Sequence, residues 1–78
     1  MLIVRGSVVR AVAGRDKSKF FVVTNIDDKC ADICDGKRRP LCRTKRKNFR
    51  HLSLTKVVLG ETSLKTDKAI RIALREFL

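Results

Sequence analysis

The residues with the most capacity for chemistry are eight bases crowded into one short segment. Lys37, Arg38, Arg39, Arg43, Lys45, Arg46, Lys47 and Arg50 fall between positions 37 and 50 with no acid among them. Such side chains neutralise phosphates and release condensed counterions, which gives affinity without sequence information. Arginine can fork onto two phosphate oxygens, whereas lysine acts as a point charge. Like charges without interleaved acids repel one another and need an anion, so a merely solvated surface fits this segment poorly. The whole chain holds 19 Lys and Arg against 8 Asp and Glu, a net charge of +11. Subtracting the eight leaves only +3 for the other 64 residues. The charge is a patch.

A second basic group lies earlier, at Gly14, Arg15, Lys17 and Lys19. Gly14 permits a tight turn and a close backbone approach. Asp16 is placed to pair with Arg15 or Lys17, or to cap the turn. Aromatic residues are scarce: there is no Trp or Tyr, and only Phe49 lies inside the basic run, where it is read as packed rather than stacked. Binders of single strands present several stacking platforms. Their scarcity favours folded RNA, recognised through backbone and shape.

Other chemistries find less support. Cys30, Cys34 and Cys42 with His51 give the spacing Cys-x3-Cys-x7-Cys-x8-His, without the paired knuckles of structural zinc sites. Neither a metal nor another cofactor is expected, and His51 is read as a strand residue and a further RNA contact. A single His and no nucleophile–base arrangement argue against an enzyme. Asp27, Asp28, Asp32 and Asp35 lack the spacing of a calcium loop and are read as turn formers that hold RNA away from their side. An odd number of cysteines, and an opening Leu2-Ile3-Val4 too short for a secretory signal, lead to an expectation of reduced thiols in a cytoplasmic protein. No stretch approaches the length of a membrane span.

The elements that must position these groups are short. Val8 to Ala13 reads as a strand, followed by a polar loop from Gly14 to Lys19 and a second strand from Phe20 to Ile26. Asp27-Asp28-Lys29 makes a turn, and Cys30 to Cys34 is a third strand. Asp35-Gly36 is a hairpin signal that predicts a return strand around Arg39 to Arg43. A last strand is expected near Arg50 to Leu54, with Leu52 and Leu54 on one face. Five short strands in so few residues predict a mostly β chain, a small closed or partly closed barrel. Residues 1–59 form this barrel and 60–65 a connector. Residues 66–78 form an amphipathic helix with Thr66 as N-cap, Asp67 at the positive end, and Ile70, Ala73, Leu74 and Phe77 on one face. Lys68, Arg71 and Arg75 share the other face, a solvated side, a second phosphate-contacting surface, or part of a helix offered to a protein partner.

The stretch from Gly6 to Val23, an apolar strand, a glycine-containing basic loop and a second apolar strand, resembles a KOW motif. Asp35-Gly36 and the piece from Lys47 to Thr55 resemble the large-subunit ribosomal protein fourteen group of archaea and eukaryotes, and the chain looks like a short bacterial relative. The resemblance covers roughly residues 4–56 and implies an SH3-like barrel whose ligand is RNA, usually ribosomal RNA. Many KOW loops carry a second glycine, near whose place Ser18 stands here.

Two functions from different classes follow. The first is a monomeric RNA-binding protein, ribosome-associated or ribosomal-protein-like, that contacts structured RNA through the bases of both segments. The second is a KOW-type protein-interaction module that meets a ribosomal or transcription protein. Attachment to an anionic membrane is disfavoured, because the basic run offers only Leu41 and Phe49 as sizeable apolar anchors.

Overall fold

The computed structural model describes residues 2–77; Met1 and Leu78, which closes the expected helical span, lie outside the described residues. Five strands are present: β1 (Ser7–Ala11), β2 (Phe20–Ile26), β3 (Cys30–Cys34), β4 (Lys45–Asn48) and β5 (Leu52–Val58). They form one antiparallel sheet in the order β4-β3-β2-β1-β5, followed by a single α-helix, α1 (Asp67–Leu74). The chain is mostly β, as expected.

The sheet curls. Asn48 ends β4 and Leu52 opens β5, four Cα steps that reach at most about 14 Å. The outer strands of a flat five-stranded sheet would lie about 19 Å apart. The two edges therefore approach each other, although no ladder joins β4 to β5 among the described residues.

Both faces of the sheet are covered, which explains why β1 and β2 read as nearly continuous apolar runs. Val9, Ala11, Phe21, Val23, Ala31 and Ile33 fill the concave side with Ile3, Phe49, Leu52 and Leu54 packed on them. Val8, Val22 and Cys34 project to the other face, where Leu64, Ile70 and Leu74 meet them. Full burial of side chains such as Phe21, Ile33 and Ile70 contributes on the order of 1.5–3 kcal/mol each. Strand β5 serves both sides. Ser7 pairs with Val58 but Val9 with Leu54, so β5 carries two extra residues at a bulge. There the Thr55 hydroxyl donates to the Val8 carbonyl at 2.8 Å and accepts from the Val57 amide at 3.2 Å. The bulge bends the strand, and Val57 and Leu59 pack on the helix side while Leu52 and Leu54 stay on the concave side.

Strands β2 and β3 have the expected bounds, and β1 is close to them. Two expectations fail. The return strand over Arg39 to Arg43 does not form, because Pro40 lacks an amide donor and sits in its middle. Instead one Asp35 oxygen accepts from the Lys37 and Arg39 amides, both at 2.9 Å, and Leu41–Arg43 form a 3-10 turn. Pairing with β3 resumes only at Lys45, opposite Ile33. The last strand likewise starts late, at Leu52. Asn48 accepts from the Arg50 amide at 3.0 Å and initiates a 3-10 turn over Phe49–His51, so His51 is a turn residue and not a strand residue.

Residues 60–65 contain a further 3-10 turn, Glu61–Leu64, that buries Leu64. Thr66 caps α1 as expected, its hydroxyl accepting from the Ala69 amide at 3.0 Å. Ile70 and Leu74 are buried, and Phe77, on a final turn Arg75–Phe77, lies against Phe20 with ring centroids 5.3 Å apart.

Candidate nucleic-acid interface

The loop between β1 and β2 is closed by backbone hydrogen bonds. The Ala11 amide donates to Lys19 and the Ser18 amide donates back to Ala11, at 2.9 and 2.7 Å. Two residues hold positive φ, Gly14 at 80° and Ser18 at 72°. Ser18 thus takes the left-handed conformation that glycine adopts without strain.

Three contacts tie this loop to the later basic segment. The Lys47 ammonium donates to the Ala13 carbonyl at 3.0 Å. The Arg39 guanidinium pairs with the Asp16 carboxylate at 3.2 Å. The Val12 amide donates to the His51 carbonyl at 2.9 Å. Asp16 is only 5% exposed, so it is a buried acid held by a distant arginine, not by its neighbours Arg15 or Lys17 as its spacing suggests. Arg39 is correspondingly drawn into the fold, and its Nε is buried without a hydrogen-bond partner. Through Arg39 and Lys47 the later basic segment meets the β1–β2 loop, far from it in sequence.

The remaining site residues divide. Arg15, Lys17, Lys19, Lys37, Arg38, Arg43, Lys45 and Arg50 are exposed and make no ion pair among the described residues, and His51 is also exposed. Arg46 is different: it pairs with Asp27 at the turn between β2 and β3. That turn lies at the opposite end of β2 from the Gly14–Lys19 loop. The Arg46 guanidinium, together with the Lys29 and Cys30 amides, holds the Asp27 carboxyl below the usual carboxylate range.

The C-terminal helix enters the same surface. A groove of about 590 Å³ runs between the β1–β2 loop, the 35–38 turn and α1, lined by Lys19, Lys37, Arg38, Arg71 and Arg75. Arg71 also donates to the Gly36 carbonyl at 2.7 Å, locking the turn to the helix. Asp35 is the one carboxylate on the wall, and one of its oxygens is engaged by backbone amides. Arg71 and Arg75, read from the sequence as a solvated face or a second phosphate-contacting surface, thus stand beside the basic loop and turn. Their i, i+4 spacing on the polar helix face was the available signal.

Among the described residues no group of three or more His, Cys, Asp or Glu side chains is placed to hold a metal ion. The three cysteines are free thiols, and burial pushes the Cys34 thiol up to about 11 while Cys42 is exposed. Among the described residues no helix is long and apolar enough to cross a membrane. A comparison with protein-family models finds none that matches the chain. A comparison with curated proteins finds no match either.

Proposed function

We propose that this chain is a non-enzymatic RNA-binding protein of the translation machinery, acting in the cytoplasm, that grips the backbone of structured RNA with one end of an SH3-like KOW barrel. Ribosomal RNA is the ligand the motif resemblance favours. One observation carries the reading: Lys47 and Arg39 fasten the basic segment to the β1–β2 loop, leaving Arg15, Lys17, Lys19, Lys37 and Arg38 exposed and without carboxylate partners among the described residues. Such a surplus is neutralised most completely by closely spaced phosphates. The curl of the sheet, with β5 returning from β4 to pair with β1, supports the barrel part of the reading.

The test is a salt titration of binding to an RNA hairpin. Log affinity should fall with log salt at a slope near 0.9 per phosphate contact, by analogy with duplex DNA. Substituting Arg15, Lys17 and Lys19 with Gln should flatten that slope by about two to three. The same substitution at Lys29, Lys56 and Lys65, equal in charge but outside both basic segments, should leave the specific contacts in place. Equal losses from both triples would defeat the site assignment.

A second reading, a KOW-type protein-interaction module, draws on an apolar groove of about 620 Å³ lined by Leu2, Ile3, Ile26, Phe49, Leu52 and Leu54. Leu2 is 86% exposed there. Salt-resistant co-purification with one protein of the transcription or translation machinery, lost on Leu2→Lys, would favour it.

A further inference from the structure

The groove beside α1 holds more than cations. Phe20, Leu74 and Phe77 also line it, Leu74 buried and both phenylalanines half-buried, with the Phe20–Phe77 rings tilted by 35°. The rim is formed by Lys19, Lys37, Arg38, Arg71 and Arg75. A phosphate alone needs only the rim. The volume of about 590 Å³ lies within the roughly 300–1,000 Å³ typical of sites for small organic ligands.

Recessed aromatic surface ringed by positive charge matches the amphipathic character of a nucleotide. A base has a π-face that rests on aromatic side chains whatever its identity, and the phosphates on either side of it reach outward. A regular RNA helix keeps its bases stacked inside and would leave this floor uncovered. A lipid surface requires apolar groups that project beyond the cations, whereas here the apolar lining residues are less exposed than the cations. An acidic peptide would satisfy the rim but has no planar group for the floor unless an aromatic residue accompanies it.

We infer that the groove between the β1–β2 loop, the 35–38 turn and the C-terminal helix is a subsite for one unpaired nucleotide, such as a bulged base in otherwise folded RNA. Phe77 and Phe20 take the base, while Lys19, Lys37, Arg38 and Arg75 take the adjoining phosphates. Arg71 is anchored to Gly36 and positions the turn that carries Lys37 and Arg38. The inference rests on the RNA-binding reading above. It also gives the helix a role that lies outside the KOW resemblance.

The experiment compares two RNA hairpins of the same stem, one perfect and one with a single bulged 2-aminopurine, binding to the full chain. The wild type should prefer the bulged RNA by at least about five-fold, the low end of what one base–aromatic stack contributes. The fluorescence of the 2-aminopurine should be quenched on binding. Phe77→Leu keeps an apolar floor without a ring, and should abolish both preference and quenching while perfect-hairpin affinity stays the same. If that variant does not fold, Arg75→Gln supplies the second measurement, weakening the bulged RNA more than the perfect one. Equal wild-type affinity for the two hairpins would overturn the subsite and leave the RNA-binding reading standing. Failure to bind either hairpin would overturn both. Tighter binding to phosphatidylcholine–phosphatidylglycerol vesicles than to the bulged RNA, with the same Phe77 dependence, would replace the nucleotide with a lipid headgroup.

Discussion

Replacing Asp16 with Ala separates the contribution of geometry from that of charge. Asp16 is the only acid in the β1–β2 loop, its side chain is 7% exposed, and its partner Arg39 is 31% exposed at 3.2 Å. Removing one member of a fully buried pair costs roughly 3–5 kcal/mol. An exposed pair contributes about 0–1 kcal/mol. Arg39 is partly solvated and can turn outward, yet its Nε is already buried without a partner. The expected loss is therefore about 2 kcal/mol, between those limits. A domain of this length has a total stability of about 4–12 kcal/mol, so the loss is a substantial fraction. With a urea m-value near 1 kcal/mol/M, the unfolding midpoint should drop by about 2 M.

A double-mutant cycle completes that experiment. Arg39→Met alone leaves a buried carboxylate without its partner, and the double variant Asp16→Ala, Arg39→Met removes both groups. The double variant should cost less than the sum of the two singles by about 1–2 kcal/mol. The RNA assay then gives the decisive sign. Asp16→Ala raises the net charge by one, so charge counting alone predicts tighter binding, whereas a loop held in place by Arg39 predicts weaker binding. A midpoint change below about 0.5 M, additive singles or tighter RNA binding would each refute the view that this pair joins the two basic segments.

Two further outcomes test the backbone and the core. Ser18→Gly relieves the positive φ of 72°, and should raise stability by about 1 kcal/mol in urea unfolding. Gly36→Ala is its opposite, since Gly36 has φ of 77° and an added Cβ would collide with the Asp67 carbonyl; a destabilisation of about 1 kcal/mol or more is expected in the same assay. The Cys34 thiol, ordinarily near 9.0, is raised to about 11 by burial. Because the folded value is the higher one, the stability held by the neutral thiol is complete below about pH 9 and is lost as pH rises towards 11. Unfolding curves of the wild type should therefore fall away faster than those of Cys34→Val across that window, and a thiol reagent at neutral pH should label exposed Cys42 but reach Cys34 only on unfolding.

What was legible in the sequence was local. Strand β2 is an aromatic and β-branched run, β2 and β3 are each ended by an aspartate-containing turn, and the Thr66 cap announces its helix, so neighbours in sequence suffice to place them. The missed elements turn on competition between local signals. Asp35-Gly36 promised a tight hairpin, but Pro40 removed a donor from the middle of the return strand and Asp35 closed a wider turn instead. Asn48 delayed β5 in the same way. The site was half legible. The basic segments are conspicuous, but the Asp16–Arg39 pair spans 23 residues and leaves no local pattern. The contribution of Arg71 and Arg75 depends on where the helix docks, which is decided by Ile70 and Leu74 meeting Val8, Val22 and Cys34.

The acids explain why the cations remain available. Of the eight, Asp16 holds Arg39, Asp35 closes the turn after β3, Asp67 accepts from the Leu41 amide, Asp27 closes the β2–β3 turn and pairs with Arg46, and Glu61 pairs with Arg5. Two of these acids accept only backbone amides, and another three each hold a single arginine, so five carboxylates neutralise three cations among the described residues. The placement is also polar along the sheet. Asp27 and Asp28 follow β2 at its end opposite the loop that carries Arg15, Lys17 and Lys19. At the β2–β3 turn Asp27 and Asp28 offset Lys29 and Arg46, whereas the other end of β2 holds a groove of cations, so the summed field draws a polyanion to the groove.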